Sequence, residues 1–248
     1  MKYAVLSDVH ANLEAIDAVL TDIKACDFDR ILVLGDLVGY GADPNLVIER
    51  IREIDNLSII RGNHDKVAAG LEPSHHFNSQ ARAAIEWTAK TLTSENKEFL
   101  TALPAGPVII DSLVEVCHGA PFDEDAYIFD DETAEKSLTM SRRLLCLFGH
   151  THVPAMYELR NKKVVYENVS QRSHQIKITN NNHSNFIVNF GSVGQPRDGD
   201  PWAAWGLVDT ETGIVTWKRV SYEVERAQAK ILAAGLPSEL SQRLALGH

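Results

Sequence analysis

Short apolar runs in this chain repeatedly end in Asp, Asn or His, and that habit restricts the fold more than any other feature. Five segments share it: Asp8-Val9-His10, Gly35-Asp36, Gly62-Asn63-His64-Asp65, His118-Gly119 and Gly149-His150-Thr151-His152. Each directly follows a strand candidate. In an open α/β sheet, ligands gather beyond the C-terminal ends of the strands. The pattern therefore predicts a sheet edge lined with metal-ligating groups. On extended backbone, side chains two apart point the same way, so Asp8 with His10, and His150 with His152, are expected to approach one ion in pairs. Gly35, Gly62, Gly119 and Gly149 are expected to supply the sharp turns that release the chain from the sheet. One such segment alone is an ordinary surface or turn feature. Five in order, each after a strand, point to a metal site.

The wider pattern is that of an α/β protein. Strands are expected at 2–7, 31–34 and 57–60. Between them runs a helix with an apolar stripe at Leu13, Ile16, Val19, Leu20 and Ile23, then a second helix opened by Asp43-Pro44. Strand–helix–strand units imply parallel pairing. A helical insert follows over about 66–104: one helix buries Ala81, Ala84, Ile85, Thr88 and Leu92, and a second is capped by Ser94 and stopped at Pro104. Later strands are expected near 107–110, 113–118, 144–148, 155–159, 163–167, 174–179, 186–190, 202–208 and 214–220, with a turn at Asn180-Asn181-Asn182-His183-Ser184. The tail from Tyr222 reads as two helices broken at Gly235 and Pro237. The expected architecture is a four-layer α-β-β-α sandwich of two mixed sheets, with flanking helices and a small helical cap. Residues 1–220 would form the main domain, and 221–248 a helical extension packed upon it.

Composition limits the partners. The 248 residues carry 34 acidic against 24 basic side chains, a formal charge of −10. That balance repels nucleic-acid phosphate at long range and argues against a nucleic-acid partner. The acidic run over 123–135 reads as a solvated loop and helix start. No apolar run approaches the roughly 18 residues of a membrane helix, and Lys2 leads at once into a strand, which leaves no room for a signal peptide. Cys26, Cys117 and Cys146 are odd in number and far apart, the usage of a reduced, cytoplasmic protein.

With its five segments in this order, the sequence resembles the calcineurin-like metallophosphoesterase superfamily. It is most similar to small bacterial and archaeal members of phosphodiesterase type, which carry the Gly35–Gly41 and Gly191–Arg197 segments also found here. The resemblance implies two divalent metal ions. One would be held by Asp8, His10, Asp36 and His152, the other by Asp36, Asn63, His118 and His150, with Asp36 bridging. Manganese is favoured; iron, zinc and nickel also suit mixed imidazole and carboxylate ligands. The implied activity is hydrolysis of a small soluble phosphate ester, a phosphodiester or nucleotide-like compound, by attack of a metal-bridging hydroxide. His64 would contact the phosphate and assist the leaving group. The alternatives are a phosphomonoesterase or dinucleoside polyphosphate hydrolase with the same metal core, and a non-catalytic interaction scaffold on the same fold.

One departure stands out. Protein-phosphatase relatives read G-D-x-V-D-R-G, whose second Asp orients the catalytic His and whose Arg binds phosphate. Here Gly39 and Tyr40 occupy those places. Asp65 and Asp43 are the candidates to orient His64, or else no carboxylate does; Arg197 is the candidate for phosphate contact together with Asn63 and His64. Asn189 and Ser192 are expected to brace the metal loops. His75 and His76 read as a solvated loop pair, Cys117 as a buried strand residue, and Trp202, Trp205 and Trp217 as core or interface. A hairpin near Asp209–Gly213 or the C-terminal helices would offer a homodimer contact.

Overall fold

The computed structural model describes residues 1–169, 171–179 and 185–248; the turn expected over 180–184 lies outside them. The chain opens with parallel β1 (Lys2–Leu6), β2 (Arg30–Val33) and β3 (Leu57–Ile59), separated by α1 (Leu13–Ile23) and α2 (Pro44–Arg52). Their sheet is completed by antiparallel β11 (Ala203–Asp209), β12 (Ile214–Val220) and β9 (Ser173–Lys177), in the order β3-β2-β1-β11-β12-β9. The second sheet runs β4-β5-β6-β10-β7-β8. Its strands are β4 (Val108–Ile109), β5 (Val114–Val116), β6 (Leu145–Phe148), β10 (Phe186–Asn189), β7 (Ala155–Arg160) and β8 (Lys163–Glu167). Here β5, β6 and β10 are parallel.

The apolar runs are uninterrupted because these strands are covered on both faces. In β1, Tyr3 and Val5 enter the core between the sheets, whereas Ala4 and Leu6 face the helices outside. In β6, Leu145 and Leu147 point inward, and Cys146 and Phe148 lie among the residues packed with α6 (Asp131–Met140). Trp217, buried between the sheets, donates its indole N–H to the Asn189 carbonyl at 2.8 Å. That bond ties the first sheet to the strand end of the second.

The helical insert holds α3 (Asn63–Ala69), α4 (Ser79–Thr91) and α5 (Ser94–Ala102). Ala68, Ile85, Leu100 and Leu103 join the same apolar layer as α1 and α2. The insert is rooted in the outer helix layer, and Phe77 from its connecting loop reaches the strand ends. The cap of α5 is Thr93, whose hydroxyl accepts the Asn96 N–H at 3.2 Å; Ser94, expected there, is the first helical residue. Finally α7 (Val224–Ala233) and α8 (Ser238–Leu246) lay Ala227, Ile231, Leu240 and Leu244 against Tyr40, Ala81 and Ala84. Lys230 pins α7 by ion pairs to Glu14 and to Asp43, the latter at 2.7 Å. Among the described residues, no helix is long and apolar enough to cross a membrane.

Leu147 is fully buried between the sheets. Leu147→Ala is expected to lower unfolding stability by about 2–5 kcal/mol. Urea titration checks this, as a shift of midpoint at constant slope.

Candidate metal centre

All five polar segments meet at one end of the sandwich: Asp8 after β1, Asp36 after β2, Asn63 after β3, His118 after β5, and His150 with His152 after β6. The backbone there is not extended. Asp8, His10, Asp36, His150 and His152 have positive φ, from 49° to 66°. Asp8 and His10 therefore reach one donor group through left-handed turns rather than through the strand pleat, whereas His150 and His152, expected to approach one ion together, are sent by their turns to different groups. The reason is that β1 ends at Leu6 and β6 at Phe148, before either pair begins. Such conformations cost non-glycine residues of order 1–3 kcal/mol each and persist only where the surroundings hold them. Here they are held. His10 N–H donates to the Asp36 carbonyl at 2.9 Å, and the Asp8 carbonyl accepts from Gly194 N–H at 2.9 Å and Ser192 Oγ at 2.8 Å. Buried Asn189 donates to the Gly149 carbonyl at 2.8 Å and to Thr151 Oγ1 at 3.0 Å. Of the four glycines, only Gly35 turns the chain through positive φ; Gly149 serves close approach, since a Cβ there would meet Ser7 Oγ at 1.9 Å.

Two groups of donors result. Asp8, His10, Asp36 and His152 form one, and Asp36, His118 and His150 the other; within each, ligand atoms lie within 4.8 Å of one another. Asn63 Oδ1 sits 3.2 Å from His118 Nε2, at the second group. Asp36 belongs to both. Its Oδ1 accepts the His64 N–H at 2.9 Å, while its buried Oδ2 has no hydrogen-bond partner. That oxygen lies 3.6 Å from His10 Nε2 and 3.4 Å from His118 Nε2.

The imidazoles are set as ligands. The Nδ1 atoms of His10, His118 and His152 lie 3.1, 2.7 and 2.7 Å from the carbonyls of Val38, Leu34 and Gln195. A carbonyl only accepts, so each Nδ1 carries the proton and each Nε2 presents a lone pair in the neutral ring. His10 Nε2 and His152 Nε2 then face one another at 3.1 Å, an arrangement of two acceptors that a cation relieves. Burial holds His10 and His152 well below the ordinary histidine value and brings His150 down to about 3. His118 goes the other way: burial opposes its charge, but the Asp36 carboxylate outweighs this and raises it to about 10. Asp36 is correspondingly held low despite its burial, chiefly by His118 and His64.

His64 stands beside this array, its ring centroid 4.8 Å from His10, 4.5 Å from Tyr40 and 4.6 Å from Phe77. Burial lowers it to about 4. Neither expected carboxylate orients it. Asp65 is occupied by the N–H groups of Leu37, Val38 and Gly62, and Asp43 by Lys230. His64 Nδ1 is buried without a partner, and a Cβ on Gly39 would stand 2.2 Å from it. Packing between aromatic rings therefore positions His64. Arg197 is no remote turn residue: its N–H donates to the His152 carbonyl at 3.2 Å, and its Nη2 donates to Gln195 Oε1 at 3.1 Å and Tyr40 Oη at 3.3 Å.

The acidic run is partly structural rather than simply solvated. Glu124 pairs with Arg61 and Lys66, and Asp125 pairs with Lys66 at 2.7 Å. This fastens a strap whose Asp125 carbonyl lies 3.0 Å from His150 Nε2 and whose Tyr127 ring stacks on His150 at 3.9 Å. Tyr127 carries no sequence signal because it lies in the acidic run rather than in a polar segment after a strand; Gln195 lies in the Gly191–Arg197 segment, but nothing local shows that its carbonyl meets His152.

Over residues 1–213 the chain matches the calcineurin-like phosphoesterase superfamily domain. It belongs to that superfamily. The chain is 36% identical to the uncharacterised protein MJ0912 of Methanocaldococcus jannaschii, over 99% of this chain and 98% of the relative. It is also 36% identical to a metallophosphoesterase of known structure from Sphaerobacter thermophilus, with TM-score 0.86 and full coverage of both chains. The hypothetical protein PH1004 of Pyrococcus horikoshii shares the fold at 22% identity and TM-score 0.80, covering 100% of this chain and 98% of that one. The protein is thus a metallophosphoesterase, a hydrolase of phosphate esters, of a metal-dependent superfamily.

Asn189→Ala removes both side-chain anchors from the 149–151 turn of this phosphoesterase. It is expected to cost about 1–3 kcal/mol of stability, measured by denaturant titration of the metal-free protein.

Proposed function

We propose that this phosphoesterase binds two divalent cations, manganese preferred, and hydrolyses a small phosphodiester or nucleotide-like ester. The observation that carries the reading is the unpartnered Asp36 Oδ2, placed between an imidazole of each donor group. We assign Asp8, His10, Asp36 and His152 to one ion, and Asp36, Asn63, His118 and His150 to the other. Cations bound there supply an activated water and Lewis-acid neutralisation of developing phosphate charge. The chain's own residues do the rest. His64 and Asn63 contact the phosphate, and His64, neutral near pH 7, presents a ring N–H to the phosphate and leaving group. Arg197 offers a guanidinium beside Tyr40 and Gln195. A cleft of about 350 Å³ lined by Asn63, His76, Phe77, Tyr127 and His150 admits the leaving group between aromatic walls, a size suited to small ligands. This favours an ester with a planar organic moiety over a bare phosphomonoester. We further propose residues 1–220 as the catalytic unit with 221–248 as its extension, and a cytoplasmic location that fits the cysteine usage.

Three measurements test this. The manganese-loaded protein should release 4-nitrophenol from bis(4-nitrophenyl) phosphate faster than from 4-nitrophenyl phosphate; no turnover of the diester overturns the preference. His64→Ala should lose roughly 10²–10⁴-fold in kcat while elemental analysis still finds the metal of the wild-type protein. Asp36→Ala should lose metal from both groups, whereas Asp8→Ala should retain the ion of the His118 group. Equal retention in both variants would defeat the shared-carboxylate assignment.

A further inference from the structure

Arg197 is not alone. The C-terminal helix α8 brings a second arginine, Arg243, to the same rim of the site. Leu240 and Leu244 of α8 pack with Tyr40, the residue whose hydroxyl Arg197 touches. Beyond the helix, the Gly247 carbonyl accepts the Gly199 N–H at 2.9 Å, which ties the end of α8 to the loop carrying Arg197. Arg243 lies three residues after Leu240 and four before Gly247, on the helix face they share. Its guanidinium is within electrostatic reach of Arg197 and of the Tyr40 hydroxyl, and it is half-buried.

Two guanidinium groups brought together are costly unless something anionic joins them. Among the described residues, neither Arg197 nor Arg243 has a carboxylate within ion-pair distance. The nearby acids pair elsewhere: Asp198 with Arg219 through Oδ2, its Oδ1 being buried and unbonded, and Asp200 with Arg172 at 2.8 Å. Arg197 Nε is buried without a partner, so the donor fork is only partly used. Burial and the charge of Arg197 both press Arg243 below the usual arginine value. In a chain of net charge −10, two arginines without a paired carboxylate stand out. Arg197 is close enough for its charge to be felt at His10, His64 and His152.

We propose that Arg197 and Arg243 together hold a second phosphate group of the substrate, next to the phosphate that undergoes hydrolysis, so that the preferred substrates carry at least two phosphates. Planar guanidinium forks suit such an oxyanion. This rests on the phosphoesterase reading of the Asp/His groups. It assigns to the C-terminal helix a role in selecting the substrate.

The test compares the manganese-loaded full-length protein with Arg243→Gln and Arg243→Lys on two esters: bis(4-nitrophenyl) phosphate, with one phosphate, and a nucleoside diphosphate, with two. Arg243→Gln should lose kcat/KM on the diphosphate at least about tenfold more than on the single-phosphate ester, mainly through KM, and Arg243→Lys should recover part of that difference. Equal losses on both substrates, or none on either, would overturn the proposal. Pyrophosphate is the second probe. It should inhibit wild-type diester hydrolysis competitively, and calorimetry should show at least about tenfold weaker binding to Arg243→Gln; orthophosphate, which cannot bridge both positions, should show a smaller difference. Failure of the underlying reading looks different: the wild type would then hydrolyse no ester with any metal, and pyrophosphate calorimetry alone would decide the arginine pair. Equal pyrophosphate affinity in wild type and variant would end it.

Discussion

Everything at the active end of this protein turns on how Asp36 is divided. One carboxylate oxygen accepts a backbone N–H from the start of α3, which fixes the side chain. The other is buried and unbonded, and faces imidazole nitrogens from two different loops. A buried polar atom without a partner costs free energy, so a fold that keeps one at its centre stabilises something else there. His118 shows what: its proton is held far above the ordinary histidine range by that same carboxylate. Positive charge belongs in the gap, and the surrounding lone pairs of His10 and His152 suit a metal ion better than a proton.

The cost of building that gap is spread through the backbone. Five of the seven assigned ligands sit in the left-handed region, where local preference opposes them. Each is overruled by tertiary bonds from a neighbouring loop, above all from the segment around Asn189, Ser192 and Gln195. Trp217 links this brace to the core by donating to the Asn189 carbonyl. The site is therefore tied directly to the contact between the sheets, which accords with a centre needing fixed ligand geometry.

Much of this was legible in the chain. Strands such as Tyr3–Leu6 and Leu145–Phe148 announce themselves because burial on both faces demands unbroken apolar residues. The donor residues announce themselves by following those strands. What escaped has a common physical cause, dependence on distant partners. The helix at Asn63–Ala69 is nucleated by Asp65, whose carboxylate also receives N–H groups of Leu37 and Val38, and no local signal records that. Glu124 and Asp125 looked like solvated acids until Lys66 and Arg61 came to meet them. The left-handed turns leave no local signal, because Asp and His at a strand end look the same whether the pleat continues or stops.

Gly39 explains why the same site can differ in chemistry from relatives that place an Asp there. Its missing side chain lets Gly39 press directly on His64, so this ring is positioned by Tyr40 and Phe77 and not by a carboxylate. Without a carboxylate behind it, a buried imidazole stays neutral at ordinary pH. In the proposed hydrolysis, a neutral His64 would act as a hydrogen-bond donor that positions the ester. The charge that protein-phosphatase relatives supply from the arginine following that Asp must then come from elsewhere. In this chain the loop after β10 brings Arg197 to the site, its backbone N–H held by the His152 carbonyl, so that the proposed metal ligand and the proposed phosphate-binding cation are set by one piece of backbone.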